Sequence, residues 1–228
     1  MGTGMEHAPR ETVDRIPGAA PSSGAGEFGR GPGSRLPSGP TKRPMSASDP
    51  LPWRKLKSEP GPELMVARAR FDTLQNPRTD EALRRLVLET PDWVNVVAFT
   101  PGRKLVFVRQ YRFGRGHVTT EIPGGVVDPG EDPLEAAQRE LQEETGFTSQ
   151  RWSPLGAVEP NPAFQTNLCH HFLAEDAVQT HGLKLDAGED IRVALLSEDE
   201  VLRGLREKAI RHCLVISALS RVLDLRFR

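Results

Sequence analysis

The segment from Gly125 to Phe147, GVVDPGEDPLEAAQRELQEETGF, constrains the fold more than any other part of the chain. Asp132 and Pro133 predict a helix start, because an aspartate can cap the first turn and a proline suits the first helical position. Gly146 can end the same helix in a left-handed conformation. The segment therefore predicts one helix whose two ends are both specified by local residues.

The predicted helix has two chemically different faces. Leu134, Ala137 and Leu141 recur at intervals of three and four residues, which gives one apolar stripe that faces a core. Glu140 and Glu144 are four residues apart and share a second face. The sequence thus predicts a helix that packs on one side and presents carboxylates on the other.

Carboxylates one turn apart repel each other, by roughly 0.2–0.5 kcal/mol for each exposed pair. A hard cation removes this repulsion, and Mg²⁺ takes one or two carboxylates together with substrate phosphate oxygens. Arg139 lies four residues before Glu143 and can orient a carboxylate by a charge-assisted hydrogen bond. A solvated acidic face is the alternative for an isolated Glu-rich helix. The flanking residues favour a metal site here, namely Gly125, Glu131, Arg139 and Gly146.

Reduced to fixed positions, the segment has Gly125, five residues, Glu131 and seven residues, followed by Arg139-Glu140-Leu141-x-Glu143-Glu144-x-Gly146-Phe147. At every constrained position it resembles the signature of the Nudix hydrolases, G-x5-E-x7-R-E-U-x-E-E-x-G-U, in which U is bulky and apolar. The resemblance implies hydrolysis of a nucleoside diphosphate linked to another group, with divalent metal ions. It also implies an α/β fold, an α/β/α sandwich around a mixed β-sheet.

The span from about Trp53 to Leu225 resembles the branch of that family that acts on ADP-ribose or nucleoside diphosphate sugars. The features that carry this resemblance are a β-rich segment at about 50–88, VRQYR at 108–112, Pro162, and GEDIRV at 188–193. The branch implies cleavage of the diphosphate bond to a nucleoside monophosphate and a sugar phosphate. The alternatives are another Nudix substrate (coenzyme A, a dinucleoside polyphosphate or a nucleoside triphosphate) and a non-catalytic module that binds ADP-ribose.

The resemblance also implies roles for single residues. The expected ligands of Mg²⁺ or Mn²⁺ are the Gly124 carbonyl, Glu140, Glu144 and Glu189. The expected catalytic residues are Glu143, Glu144 and Glu189, and the general base is open between Glu143, Glu189 and Asp186. The expected substrate-binding residues are Arg112, Glu121 and Trp53, with Trp53 stacking on the base. The competing interpretations are a surface arginine, a structural glutamate and a core or interface tryptophan, respectively. The structural positions of the signature are Gly125, Glu131, Arg139 and Gly146.

Three regions follow one another along the chain. Residues 1–48 are rich in Gly, Pro and Ser and lack apolar periodicity, so we expect them to be disordered. Residues 49–90 are expected to form an N-terminal β segment that makes a homodimer, and residues 91–228 the Nudix domain, with its signature at 125–147. Strands are predicted at 63–71, 83–89, 93–99, 104–111, 118–122, 155–158, 168–174 and 191–196. Further helices are predicted from Ser197 to about 208 and over 213–225.

The composition of the chain argues against some classes of binding partner. The formal net charge of the chain is −1, which gives no global attraction to nucleic acid or to an anionic membrane. The sequence contains no apolar run of the roughly 18 residues that a membrane span needs. Cys169 and Cys213 both lie in apolar settings outside any CxxC pattern, so we expect two buried thiols in a reducing, cytoplasmic compartment. The expected partner is a small molecule linked to a nucleoside diphosphate.

Overall fold

A computed structural model describes residues 49–185 and 187–226. The predicted disorder of 1–48 and the candidate base Asp186 lie outside the described residues. The elements in chain order are β1 (Arg54–Glu63), β2 (Arg68–Gln75), β3 (Ala82–Glu89), β4 (Trp93–Ala98), β5 (Leu105–Arg112), β6 (His117–Glu121), α1 (Pro133–Thr145), β7 (Phe147–Thr148), β8 (Arg151–Val158), β9 (Cys169–Glu175), β10 (Val178–Gln179), β11 (Ile191–Leu196), α2 (Glu198–Arg206) and α3 (Cys213–Leu219).

The N-terminal segment forms an antiparallel sheet in the order β1-β2-β3. The predicted strand at 63–71 is wrong at its start, because the Leu64 amide donates to the Ala67 carbonyl at 2.8 Å and closes a turn there. Met65, at the tip of that turn, is fully exposed. Strand β1 was not predicted at all. The segment therefore contributes three strands where the sequence indicated two.

The remaining described strands form two three-stranded sheets and a small antiparallel pair of β7 with β10. In the first, β4 runs parallel to β9 and β9 runs antiparallel to β8. In the second, β5 pairs antiparallel with both β11 and β6. The predicted mixed sheet is confirmed, with β4 and β9 as its parallel pair. Strand β4, WVNVVA, is a nearly continuous apolar run. Such a run is typical of a strand that is covered on both faces, and β4 is buried in this way.

Alternate residues of β4 serve two separate cores. Val94 and Val96 pack with the apolar stripe of α1, in a cluster that includes Ala137 and Leu141. Val97 belongs to a second cluster, which contains residues of α2 and α3. Successive side chains of a strand point to opposite faces, so one strand separates a helical layer on each side. This arrangement is the predicted α/β/α sandwich.

The predicted ends of α1 are confirmed. Asp132 accepts a hydrogen bond from the Leu134 amide at 2.8 Å, and Pro133 occupies the first turn. Gly146 ends the helix with φ 74°, in the left-handed region. Helix α2 begins with a capping box between Ser197 and Glu200. The last predicted helix is shorter than expected and ends at Leu219.

The cysteine prediction holds for one residue of the two. Cys169 is a buried free thiol, and burial raises its pKa to about 12. Cys213 is a free thiol but is exposed, so its predicted burial is wrong. Cys213 begins α3, whose buried residues include its successors Leu214 and Val215. No helix in the described part of the chain is long and apolar enough to cross a membrane.

Candidate active site

The turn Pro123-Gly124-Gly125 contacts β4 on one side and α1 on the other. The carbonyls of Pro123 and Gly125 accept hydrogen bonds from the amides of Val96 and Val94, each at 2.9 Å. Between them, the Gly124 amide donates to Glu144 Oε2 at 3.0 Å. The turn therefore makes hydrogen bonds on both of its sides, with β4 through Pro123 and Gly125 and with the acidic helix through Gly124.

Gly124 and Gly125 both lie in close contact with their neighbours. A Cβ at this position would collide with the carboxylate of Glu140. A Cβ at Gly124 would collide with the Val94 carbonyl. The two glycines let the turn lie directly against the carboxylates of α1, which is the reason for the first constrained position of the sequence signature.

Glu144 is a buried carboxyl group, with 4% of its surface exposed. Burial raises its pKa to about 8, although the Gly124 amide opposes the shift. The negative charges of Glu140 and Glu189 raise it further, and Arg112 lowers it. A carboxyl group in this state gains most from a neighbouring cation, because a cation stabilises its charged form.

Glu140 lies next to Glu144 along the helix and is largely withdrawn from solvent. Burial raises its pKa, against the hydrogen bond that it accepts from Arg139 Nη1 at 2.8 Å. The charges of Glu143 and Glu189 raise the pKa further. The pair Glu140 and Glu144 is thus a site where two negative charges have little solvent to stabilise them.

Arg139 holds the carboxylates around it in place. Its guanidinium donates to both oxygens of Glu131, at 2.9 and 3.0 Å, and to the Val126 carbonyl at 3.0 Å. It also reaches Glu143 Oε2 at 3.3 Å. The hydrogen bond with Glu131 raises the pKa of Arg139, so the residue stays charged. Arg139 therefore ties α1 to the loop that precedes it.

The two remaining candidate carboxylates differ in their surroundings. Glu143 accepts from Arg139 and, at 3.0 Å, from Lys184 Nζ, so each of its oxygens has a cationic partner. Glu189 is exposed in the loop before β11. Its charge raises the pKa values of Glu140 and Glu144, so Glu189 is close enough to interact with both. The structure thus gathers the acidic candidates around one end of α1.

Arg112 and Glu121 form a two-point ion pair on the facing strands β5 and β6. Arg112 donates from Nε at 3.1 Å and from Nη2 at 2.8 Å. Glu121 is buried, which raises its pKa, but the hydrogen bonds from Arg112 and Thr119 outweigh burial and lower the pKa overall. The Nδ1 atom of His212 lies 3.6 Å from the same carboxylate. Glu121 is therefore a charged residue that fixes the position of Arg112.

A cavity of about 890 Å³ opens beside this pair. It is lined by Arg112, Glu121, Gly124 and Gly125, which were expected from the sequence. It is also lined by six residues that sequence reasoning missed, namely Asn95, Phe113, Arg115, His117, Arg211 and His212. The run Arg112-Phe113-Gly114-Arg115, with an aromatic residue between two arginines, was a local signal for part of this wall.

Trp53 lies elsewhere. It precedes β1, is partly exposed, and has the Arg85 guanidinium 6.0 Å from its ring centre. Trp53 does not line this cavity. Its expected stacking on a base stays a prediction, which a second copy of the chain would have to satisfy.

The donor set suits a hard divalent cation. Within residues 49–185 and 187–226, no three Asp, Glu, His or Cys side chains converge into a ready-made metal cage. Mg²⁺ does not need one, since it binds one or two carboxylates and completes its shell with water and phosphate oxygens. The buried carboxyl groups of Glu140 and Glu144, with raised pKa values, are groups whose charged forms a cation would stabilise.

Comparison with known proteins agrees with this geometry. A sequence model of the NUDIX domain matches residues 90–214. The chain belongs to the Nudix family. Similar members include an "ADP-ribose pyrophosphatase" of Bacillus subtilis (strain 168), 31% identical over 131 residues, covering 57% of the chain and 71% of the relative. A "Methanol dehydrogenase activator" of Bacillus methanolicus is 32% identical over 146 residues, covering 64% of the chain and 78% of the relative.

A solved structure shares the fold of this Nudix protein. The crystal structure of an "ADP compounds hydrolase" superposes with a TM-score of 0.66, covering 77% of the chain and 95% of that structure. The sequence identity is 22%, so this likeness supports the fold alone. It confirms that the sandwich and the N-terminal strands form the α/β architecture predicted from the sequence.

Proposed function

We propose that this Nudix protein hydrolyses the diphosphate bond of ADP-ribose or a related nucleoside diphosphate sugar. Water adds across the P–O–P bridge, and the products are a nucleoside monophosphate and a sugar phosphate. The names of the relatives support this substrate class. The observation that carries the proposal is the packing of Glu140 and Glu144 against the Gly124-Gly125 turn, which lines a cavity of about 890 Å³.

In the proposed mechanism, Glu140, Glu144, Glu189 and the Gly124 carbonyl would hold Mg²⁺, with Mn²⁺ as a substitute. A cation held there would supply Lewis-acid stabilisation of the diphosphate and would lower the pKa of a coordinated water. Gly125 lets the diphosphate approach the carboxylates, because it adds no side chain between them. Arg139 holds the carboxylate of Glu140 by a hydrogen bond at 2.8 Å.

Arg112 is proposed to bind the substrate's phosphate oxygens. Its guanidinium is held by Glu121 through two of its nitrogens, and its charge also stabilises the charged form of Glu144. A planar, fixed guanidinium suits phosphate recognition. Glu121 is then a positioning residue, because it acts on substrate through Arg112.

We propose Glu189 as the general base. Both oxygens of Glu143 already accept hydrogen bonds, one from Arg139 and one from Lys184. Glu189 lies in a loop, close to the buried pair, where a carboxylate can reach an attacking water. Replacing Glu189 with glutamine should lower kcat far more than replacing Glu143, and the opposite order would reverse the assignment.

The principal test is product analysis with purified protein, Mg²⁺ and a panel of ADP-ribose, other nucleoside diphosphate sugars, NADH and coenzyme A. AMP and ribose 5-phosphate are expected from ADP-ribose. Glu144→Gln should lower kcat by orders of magnitude and keep the far-ultraviolet circular dichroism spectrum. Glu159→Gln, an exposed glutamate outside the site, is the matched control. Wild-type turnover by Glu144→Gln, or binding of ADP-ribose without any product, would contradict the proposal.

Dimerisation through 49–90 belongs to the same proposal. Leu56, Leu64, Met65 and Leu86 expose apolar surface in this segment. A dimer that buries these side chains would remove their apolar surface from water. Light scattering should give the mass of two chains, and a Leu56→Asp, Leu86→Asp double variant should give the mass of one. The cytoplasmic location stays a prediction.

A further inference from the structure

The wall of the cavity at the start of β6 carries positive charge. Arg115 and Arg211 both line the cavity. Within the described residues, neither arginine has a carboxylate within ion-pair distance, unlike Arg112 and Arg139. Glu121, the buried carboxylate that lines the same cavity, already has two hydrogen bonds from Arg112. The two arginines therefore give this end of the cavity a net positive charge.

His117 fixes the position of Arg211. Arg211 Nη2 lies 3.3 Å from His117 Nε2, and because a guanidinium can only donate, Nε2 is the acceptor. The other ring nitrogen, Nδ1, lies 3.0 Å from the Arg115 carbonyl and is the donor there. The two contacts agree on one neutral tautomer of His117. The imidazole thus links the loop that carries Arg115 to the guanidinium of Arg211.

This cationic end is separated from the acidic end along β6. His117 begins the strand and Glu121 ends it, so the two are about 13 Å apart at the usual rise of a strand. Alternation puts His117, Thr119 and Glu121 on the same face. A diphosphate bound at the Gly124-Gly125 turn is too short to span this length. The group that reaches Arg211 belongs to another part of the substrate.

Phe113, which lies between Arg112 and Arg115 in the sequence, indicates that this part of the substrate is the nucleoside. Phe113 lines the cavity, 84% of it is exposed, and its ring makes an edge contact with Tyr111 at 5.8 Å between centres. An exposed aromatic face is a stacking surface for a nucleobase. Phe113 is two residues before Arg115 and lines the same cavity as Arg211, so a base stacked on Phe113 would bring the ribose toward these arginines.

We propose that Arg115 and Arg211, with Arg211 positioned by His117, form a subsite for a phosphomonoester on the ribose of the nucleoside half of the substrate. The inference rests on the proposed function, since it assigns the far end of the same cavity. It extends the substrate class to nucleoside diphosphate compounds that carry a 2′- or 3′-phosphate. Guanidinium groups that have no carboxylate partner are the expected ligands of such a dianion.

The test uses nucleotides without a diphosphate bond, so it does not depend on turnover. Dissociation constants of AMP, adenosine 2′,5′-bisphosphate and adenosine 3′,5′-bisphosphate are measured by calorimetry with the full chain in Mg²⁺. One bisphosphate should bind at least about tenfold more tightly than AMP, the size of one charged hydrogen-bond pair. Failure of hydrolysis would leave this preference intact, whereas equal constants for all three nucleotides would overturn the subsite.

Variants assign the preference to residues. Arg211→Gln and Arg115→Gln should each lower the ratio of the AMP constant to the bisphosphate constant by about tenfold. His117→Phe should lower the same ratio, and His117→Gln, which keeps a donor and an acceptor, should restore part of it. Arg206→Gln, an exposed arginine on α2, is the control. A ratio that is unchanged in an Arg115→Gln, Arg211→Gln double variant would contradict the proposal.

Discussion

Replacing Glu144 with glutamine should stabilise the metal-free protein at alkaline pH. The wild-type carboxyl group is buried, and its pKa is raised from 4.5 to about 8 by burial and by neighbouring glutamates. In the unfolded chain the same group titrates near its ordinary value. Glutamine keeps the shape and an oxygen that can accept from the Gly124 amide, but it carries no charge.

The sign follows from where the proton is held. Below pH 4.5 both states are protonated, and Glu144 contributes no pH dependence. Between pH 4.5 and about 8 the unfolded state loses its proton first, so the wild type loses stability as pH rises. Above pH 8 the loss is complete. A pKa difference of this size corresponds to at most about 5 kcal/mol, and the neighbouring charges share in it.

The assay is urea unfolding in EDTA at pH 5.5 and pH 8.5 for wild type, Glu144→Gln and the surface control Glu159→Gln. The advantage of Glu144→Gln over wild type should grow by a few kcal/mol between these pH values. Saturating Mg²⁺ should shrink that advantage, because only the wild type binds the cation fully. An advantage that does not change with pH would refute the argument that Glu144 is an under-stabilised buried acid.

Three further predictions concern packing and positioning. Leu141→Ala should lower the free energy of unfolding by about 2–5 kcal/mol in urea titrations, because Leu141 is fully buried against β4. Gly125→Ala should lower kcat/KM for ADP-ribose strongly in steady-state assays, because its Cβ displaces Glu140. Arg112→Lys should lower the melting temperature in calorimetry nearly as much as Arg112→Ala, because a lysine cannot hold buried Glu121 at two points.

The helix and its acidic face could be predicted from the sequence because their signals are local. Asp132 and Gly146 act on backbone groups within one turn of themselves, so neighbouring residues were sufficient to set the helix ends. The positions of Glu140 and Glu144 on one face follow from helical periodicity alone. Helix α1 is where the predicted and observed structures agree residue by residue.

Strand β1 could not be predicted, because its residues do not resemble a strand. Its sequence RKLKSEPGPE contains Pro60 and Pro62, and proline argues against a strand in general. The strand lies at the edge of its sheet, where one side makes no ladder, so the prolines are tolerated. What makes it a strand is pairing with β2, which is information outside its own residues.

The cationic wall of the cavity was missed for a related reason. Arg211 and His117 are 94 residues apart, and neither belongs to a recognisable motif. They come together only because the chain returns, just before α3, to the start of β6. Cys213 shows the same limit on a smaller scale, since an apolar neighbourhood in sequence did not specify which side of a short helix it occupies.

Because β4 packs on both faces, different residues of the strand support the helices on its two sides. Val94 and Val96 support the acid-bearing helix, while Val97 supports the C-terminal helices on the reverse of the same strand. Substitutions in the two clusters should therefore add independently. The C-terminal layer can then be rebuilt without disturbing the acid-bearing helix, whereas a one-residue insertion in β4 would exchange the two faces of the strand and disrupt both layers at once.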